Sequence, residues 1–246
     1  MQNIVVLTGA GLSAESGVPT FRDENGHWLI EDVEAVASIE GWRRDPQRVL
    51  NFYNPRRGKL DDVHPNPAHE ALARVQQAVI ESGGMFTIIT QNIDDLHERA
   101  GAADVIHMHG ELRKKRCHIC DALTAYEADI TRADVCGSCG ETGSMRPHVV
   151  WFGEIPIGME ACFDALAAAD VFVAIGTSGA VQPAASFVAI AKQGGAHTIE
   201  INLKPSETAA EFDETRYGPA SQVVADWAWE TIASLPPKPS GGRAAG

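Results

Sequence analysis

The chain reads as an alternating α/β fold built on a doubly wound parallel sheet, for three reasons. Short apolar runs with β-branched content recur at 4–8, 87–90, 171–177 and 198–202. A polar or glycine-rich turn follows each run, and helical patterns such as 66–82 and 161–170 lie between them. Continuous apolar runs mark strands buried on both faces, and strand–helix alternation puts helices on both faces of a parallel sheet. Ligands of such sheets bind beyond the carboxyl ends of the strands. The turns after the runs are therefore the places to look for chemistry.

The first run, IVVLT, leads into TGAGLSA, which has the spacing Gly9-x-Gly11-x-x-Ala14. Glycines after a strand permit a tight turn and a close backbone approach to a pyrophosphate at a helix N-terminus, the pattern of a Rossmann-like site. Alone, such a turn is also simply a turn. The acidic residue expected about 20 residues further on in a dehydrogenase is replaced by the polar stretch ESGVPTFRDENGHW. Residues 22–65 then interrupt the alternation with polar loop and helix, Asp45-Pro46 marking a helix start.

After the second run, TQNIDDLHERAG presents Gln91, Asn92 and Asp94 together. Amides and a carboxylate suit ribose hydroxyls and a carboxamide; the same residues also serve as ordinary helix caps. HMHGEL follows, with His107 and His109. An imidazole acts as a base near neutral pH, and the glycine after His109 is expected to leave room for a substrate.

CHIC (117–120) and CGSC (136–139) form two C-x-x-C pairs. Four thiolates close a tetrahedral zinc site with no open position, so such an ion holds structure and performs no chemistry. A redox pair needs only one of these motifs, and disulfides are disfavoured in a reducing compartment. Cys162, on an apolar helix face, reads as packing. RPHVVWFGE (146–154) is either a core strand or an edge that pairs with an extended peptide. GTSGAVQPAA ends the third run with small residues and hydroxyls suited to close approach by phosphate or ribose.

Composition narrows the partners. With 33 acidic against 20 basic residues and a formal charge of −13, a nucleic-acid or anionic-membrane partner is disfavoured. The start of the chain carries no basic-then-apolar leader, and no apolar run reaches membrane-spanning length; a cytoplasmic protein is expected. The tail 236–246, rich in Pro, Gly and Ala, is expected to be disordered.

Together these motifs, in order over about residues 3–230, resemble the sirtuins, the NAD-dependent protein-lysine deacylases, and within them the branch of short bacterial members and the mitochondrial desuccinylase. The resemblance implies one catalytic domain over 1–235. Its Rossmann-like core would span about 1–21, 83–112 and 146–235, with a helical insertion at about 22–65 and a zinc module at about 113–145. It assigns Gly9, Ala10, Gly11, Ser13 and Ala14 to pyrophosphate and ribose, Phe21 and Arg22 to a cofactor loop, and Gln91, Asn92 and Asp94 to the nicotinamide end. Gly176, Thr177, Ser178, Asn202 and Ala220 go to the adenosine side. His109 becomes the general base, Val149, Trp151, Phe152 and Gly153 the peptide-binding strand, and Cys117, Cys120, Cys136 and Cys139 the ligands of one structural zinc. The reaction implied consumes NAD. The acyl-lysine oxygen attacks the anomeric carbon, nicotinamide leaves, and a ribose hydroxyl activated by His109 attacks the resulting imidate. Water then releases lysine and O-acyl-ADP-ribose. Acylated protein lysines are the implied substrates of a monomeric enzyme.

One stretch carries a finer expectation. NFYNPRR holds Tyr53 and Arg56 at a spacing that shares a helix face, and in this branch a Tyr-x-x-Arg pair lines the acyl pocket. Phenol and guanidinium suit the carboxylate of a succinyl or malonyl group. Arg57 is expected to be a solvated neighbour, and Pro55 to disturb the helix between the pair. A mono-ADP-ribosyltransferase shares the chemistry and is the principal alternative; a dehydrogenase and a zinc-ribbon binding protein are the others.

Overall fold

The structure is a computed structural model and describes residues 2–20 and 33–236. The expectations for Phe21, Arg22 and the end of the tail fall outside that range. In chain order the strands are β1 (Asn3–Thr8), β2 (Met85–Thr90), β3 (Ile106–His107), β4 (Gly110–Cys117), β5 (Leu123–Ala125), β6 (Met145–Val149), β7 (Val171–Ile175), β8 (His197–Asn202) and β9 (Glu214–Tyr217). The helices are α1 (Ala10–Ser13), α2 (Val33–Val36), α3 (Ile39–Arg44), α4 (Pro46–Lys59), α5 (Pro67–Glu81), α6 (Leu96–Arg99), α7 (Met159–Ala167), α8 (Phe187–Gln193) and α9 (Ala220–Ser234).

Six strands form one parallel sheet in the order β3-β2-β1-β7-β8-β9. The expected doubly wound sheet is present, and its apolar runs become β1, β2, β7 and β8. Alternate residues of β1 face opposite ways. Ile4 and Val6 join α5 and α9 through Leu72, Val75, Val79, Val224 and Trp227. Val5 and Leu7 join α7 and α8 through Cys162, Leu166, Phe187 and Val188. Cys162 is thus a packing residue, as its apolar setting suggested.

Local signals explain several boundaries. Helix α5 starts at Pro67 because Asn66 caps it, accepting from the N–H groups of Ala68 and His69, while His69 Nδ1 accepts from the Asn66 N–H. Helix α4 starts where expected: the Asp45 side chain accepts from the Arg48 N–H and Pro46 occupies the first turn. It then continues through Pro55 to Lys59.

A three-stranded antiparallel sheet, β5-β4-β6, carries the cysteine pairs. Its inner side and helices α3 and α4 share a third core, in which Trp42, Leu50 and Tyr53 meet Leu112, Ile130 and Trp151. No helix among the described residues is long and apolar enough to cross a membrane.

Candidate active site

The chain leaves β1 for β2 and β3 on one side, then returns to β7, β8 and β9 on the other. Strand order therefore reverses between β1 and β7, and a crevice must open there at the carboxyl ends. A cleft of about 930 Å³ lies at that point, within the usual size of cofactor sites. One wall comes from the parallel sheet and the other from the third core.

The sheet wall is built from backbone. Gly9 and Gly11 donate to the carbonyls of Ile175 and Gly176 at 3.0 and 2.9 Å. A Cβ on Gly9 would stand 2.7 Å from the Gly176 oxygen, one on Gly11 2.8 Å from the Gly176 Cα, and Gly176 itself has φ +63°. These glycines serve a close approach of two chain segments, and their N–H groups are already engaged. Gly9, Ala10, Gly11, Ala14, Gly176, Thr177, Ser178, Asn202 and Ala220 all line the cleft. At the far end Glu15 accepts from both the N–H and the hydroxyl of Ser221, at 2.9 and 2.6 Å, and so ties α9 to the glycine turn.

Beneath this wall lies a buried polar network. Asn92 Nδ2 donates to the Gly9 carbonyl and to Ser13 Oγ at 3.1 and 3.0 Å, and Ser13 is also 3.4 Å from His69 Nε2. Burial pushes the His69 imidazole down to about 4, so it stays neutral. Asp94, held up by burial despite bonds from the Leu96 N–H and Ser13, sits below the surface with Ser13, while Gln91 and Asn92 reach the cleft. Strand ends are joined by Thr8, whose hydroxyl meets Thr90 at 2.8 Å and His97 at 2.9 Å. The sequence hid His69 and His97 inside helix patterns. The loop 203–207 after β8 also lines the cleft; its place after a strand was the available signal.

His109 stands where the two walls meet. Its Nδ1 lies 3.1 Å from the Gln91 carbonyl, which can only accept, so Nδ1 carries the proton and Nε2 presents a lone pair. Burial lowers its pKa, with the Gln91 bond opposing. Gly110 has a different reason from the one expected: with φ +81°, a Cβ there would collide with the His148 carbonyl of β6. The room is needed by the neighbouring strand. His107 is turned away, 2.7 Å from Glu98.

The second wall is made of side chains. Val149, Trp151, Phe152 and Gly153 line it; β6 is an edge strand that ends at Val149, so the other three, expected within the strand, lie in the segment that turns away after it. The N–H groups of Val150, Trp151 and Phe152 are bonded to the His109 carbonyl, Glu154 and the Ala37 carbonyl. Arg146 braces the turn, with Nη1 2.7 Å from Glu154 Oε1 and Nη2 2.8 Å from the Val149 carbonyl. Tyr53 lines the cleft at 2 % exposure, and burial pushes its phenol up to about 12, so it remains a donor. The indole N–H of Trp151 has no hydrogen-bond partner among the described residues. Arg56 is exposed at the rim; its guanidinium stacks 3.5 Å from the centre of the cleft-lining Phe52 ring and donates to the Phe52 carbonyl at 2.7 Å. Arg57 corrects the sequence reading. It is fully buried, because the helix face it shares with Asn54 meets the segment 128–130.

The four cysteine sulfurs lie within 4.8 Å of one another, with Cys117–Cys139 at 3.8 Å and Cys120–Cys136 at 3.6 Å. Tetrahedral Zn–S bonds of about 2.3 Å put sulfurs about 3.8 Å apart. The donor set and its spacing fit zinc.

A nucleotide-sized cleft at the switch point of a parallel sheet, together with a small antiparallel sheet whose four cysteines fit a metal, defines an α/β protein of the Rossmann-like class with an accessory unit. The chain belongs to the Sir2 family, whose sequence pattern matches residues 9–183. It is 51 % identical to an NAD-dependent protein deacylase of Caulobacter vibrioides, over 96 % of this chain and 99 % of that one. Identity to an NAD-dependent protein deacylase of Vibrio vulnificus is 53 %, over 95 % of each chain. A solved Sir2 homologue–NAD complex superposes with a TM-score of 0.83 at 38 % identity, covering 95 % of this chain and 90 % of that one.

Proposed function

We propose that this chain is an NAD-dependent protein-lysine deacylase, a single catalytic unit in which the two walls of the cleft take cofactor and acyl-lysine respectively. The observation that carries the reading is His109. Its tautomer is set by the Gln91 carbonyl, its Nε2 is unprotonated, and it stands between a glycine-built wall and an edge strand. The two deacylase relatives, similar over nearly the whole chain, support it.

NAD would bring an anomeric carbon whose nicotinamide can be displaced by the acyl oxygen. The chain's own groups do the rest. Gly9, Ala10, Gly11, Ala14, Gly176, Thr177, Ser178, Asn202 and Ala220 shape the nucleotide side, with Phe21 and Arg22 assigned to the same side by sequence. Gln91 and Asn92 reach the nicotinamide end, held from below by Ser13 and Asp94. His109 Nε2 takes the proton of a ribose hydroxyl, and general-base help of this kind contributes about 10²–10⁴-fold. Val149, Trp151, Phe152 and Gly153 form the edge beside which the peptide lies; the N–H groups of 150–152 and the carbonyls of Val149 and Trp151 already have partners within the chain. Cys117, Cys120, Cys136 and Cys139 hold one structural zinc.

The acyl preference extends to succinyl and malonyl groups. Tyr53 offers a phenol that stays protonated, Trp151 an unpartnered N–H, and Arg56 a guanidinium that would leave the Phe52 ring to meet a carboxylate. The enzyme is proposed to act as a cytoplasmic monomer without nucleic-acid or membrane partners, consistent with its charge of −13.

Mass spectrometry of acetyl-lysine and succinyl-lysine peptides, incubated with and without NAD, tests this. NAD-dependent loss of both acyl groups with O-acyl-ADP-ribose formed is expected. Loss of acetyl alone would sink the acid pocket. ADP-ribose attached to peptide, with the acyl group retained, would make the enzyme an ADP-ribosyltransferase.

A further inference from the structure

Helix α4 carries two interleaved i, i+3 pairs, and only one of them faces the cleft. Tyr53 lines the cleft, and Arg56 stands exposed against the cleft-lining Phe52. Asn54 and Arg57, one residue on, are rotated about 100° around the axis and face into protein. Asn54 Nδ2 donates to the Ile130 carbonyl at 2.9 Å and its Oδ1 accepts from the Ile130 N–H at 3.1 Å. Arg57 Nε donates to the Leu112 carbonyl at 2.7 Å, and its Nη1 to Asn54 Oδ1 at 2.9 Å and the Ala128 carbonyl at 3.4 Å. Both residues are buried; burial lowers the Arg57 pKa with only the Asp129 and Tyr126 charges opposing, and Arg57 Nη2 has no hydrogen-bond partner among the described residues. A guanidinium buried on backbone carbonyls is an expensive way to hold a helix, so its position calls for a reason.

The reason lies in what the clamp connects. Leu112 is three residues beyond His109 on β4, and its N–H is bonded to the carbonyl of Ile93, which lines the cleft beside Asn92. One turn of α4 thus reaches from the acyl wall to the strand that begins directly after the proposed base. We propose that Asn54 and Arg57 are positioning residues for acyl selectivity. They fix the distance between Tyr53 and Arg56, which would meet the far end of an acidic acyl group, and His109, which serves the reacting end. This rests on the acid-pocket reading above. An acetyl group has no distal carboxylate for Tyr53 and Arg56 to meet, so a loosened clamp penalises succinyl-lysine selectively. A rigid frame matters because a charge-assisted hydrogen bond weakens quickly when its partners shift.

The test compares KM and kcat for succinyl-lysine and acetyl-lysine peptides in Asn54→Ala, Arg57→Met, Arg57→Lys and Arg56→Met, with zinc content and thermal unfolding as folding controls. Asn54→Ala and Arg57→Met are expected to raise KM for the succinyl peptide about tenfold while the acetyl peptide changes less than about twofold. Arg57→Lys, which keeps a donor for Leu112, should restore part of the difference. Parallel changes on both peptides, or none on either, overturn the proposal. If Arg57→Met does not fold, Asn54→Ala decides by the same criterion, since it removes no charge. Selectivity lost in Arg56→Met but intact in the clamp variants defeats the clamp and leaves the acid pocket standing. Selectivity lost in the clamp variants alone keeps the clamp, acting through Tyr53, and removes Arg56 from the pocket.

Discussion

The two walls of the cleft are made of different material. On the sheet side the surface is backbone: Gly9, Gly11 and Gly176 approach so closely that a single Cβ on any of them meets a main-chain atom within 3 Å. On the other side the surface is side chain: Tyr53, Phe52 and Trp151 stand on helix α4 and the turn after β6. A backbone wall has one shape and cannot be adjusted by a substitution. A side-chain wall can be altered residue by residue while its frame persists. The contrast suggests that the reaction class resides in the first wall and the acyl preference in the second.

Substitutions can break or sharpen that contrast. The largest effect is expected where the walls meet: His109→Ala should lower kcat by about 10³-fold, with zinc content and unfolding temperature unchanged. Retained turnover would remove His109 as the base. On the backbone wall, Gly11→Ala should weaken NAD binding for every acyl substrate alike. Overpacking there of about 1–3 kcal/mol should lower Tm by roughly 5 °C, read by calorimetry with and without NAD. An effect confined to one acyl type would contradict the division. On the side-chain wall, Tyr53→Phe should cut kcat/KM for succinyl-lysine about tenfold more than for acetyl-lysine, the loss of one hydrogen bond to a charged acceptor.

The smallest effect concerns pH. Burial lowers the His109 pKa below its ordinary 6.5, and a base must be unprotonated to act. The rate should therefore hold as pH falls to about 6.5 and decline only below it. A decline beginning above pH 7 would mean that the imidazole is more solvated than its burial shows. Stability should follow the same direction. His69 and His148 are both pushed down to about 4 by burial. Their contribution is complete above the unfolded value near 6.5 and is lost as pH falls toward 4, because the unfolded chain binds protons that the folded one refuses.

Strands β1, β2, β7 and β8, helix α5, the start of α4 at Asp45 and the four-cysteine spacing were all legible in the sequence. Each is a local signal, set by side-chain periodicity, a cap or a chelate spacing within a few residues. Strand β6 was legible within 146–154, but its antiparallel partners β4 and β5, the short strands β3 and β9 and helix α9 were not read. The short strands carry little pattern of their own and exist because a neighbour pairs with them.

The NFYNPRR stretch marks the boundary between the two kinds of information. Helical spacing by itself puts Tyr53 within reach of either Arg56 at i, i+3 or Arg57 at i, i+4. Which arginine meets solvent and which protein was decided by residues far along the chain, Leu112, Ala128 and Ile130. Two adjacent arginines are chemically identical, and only the packing partner brought by the fold separates a rim cation from a buried clamp. The glycines tell the same story. Their presence announced a tight turn, but that Gly11 must admit Gly176 rather than only a ligand follows from β1 and β7 lying side by side, a contact of residues more than 160 positions apart.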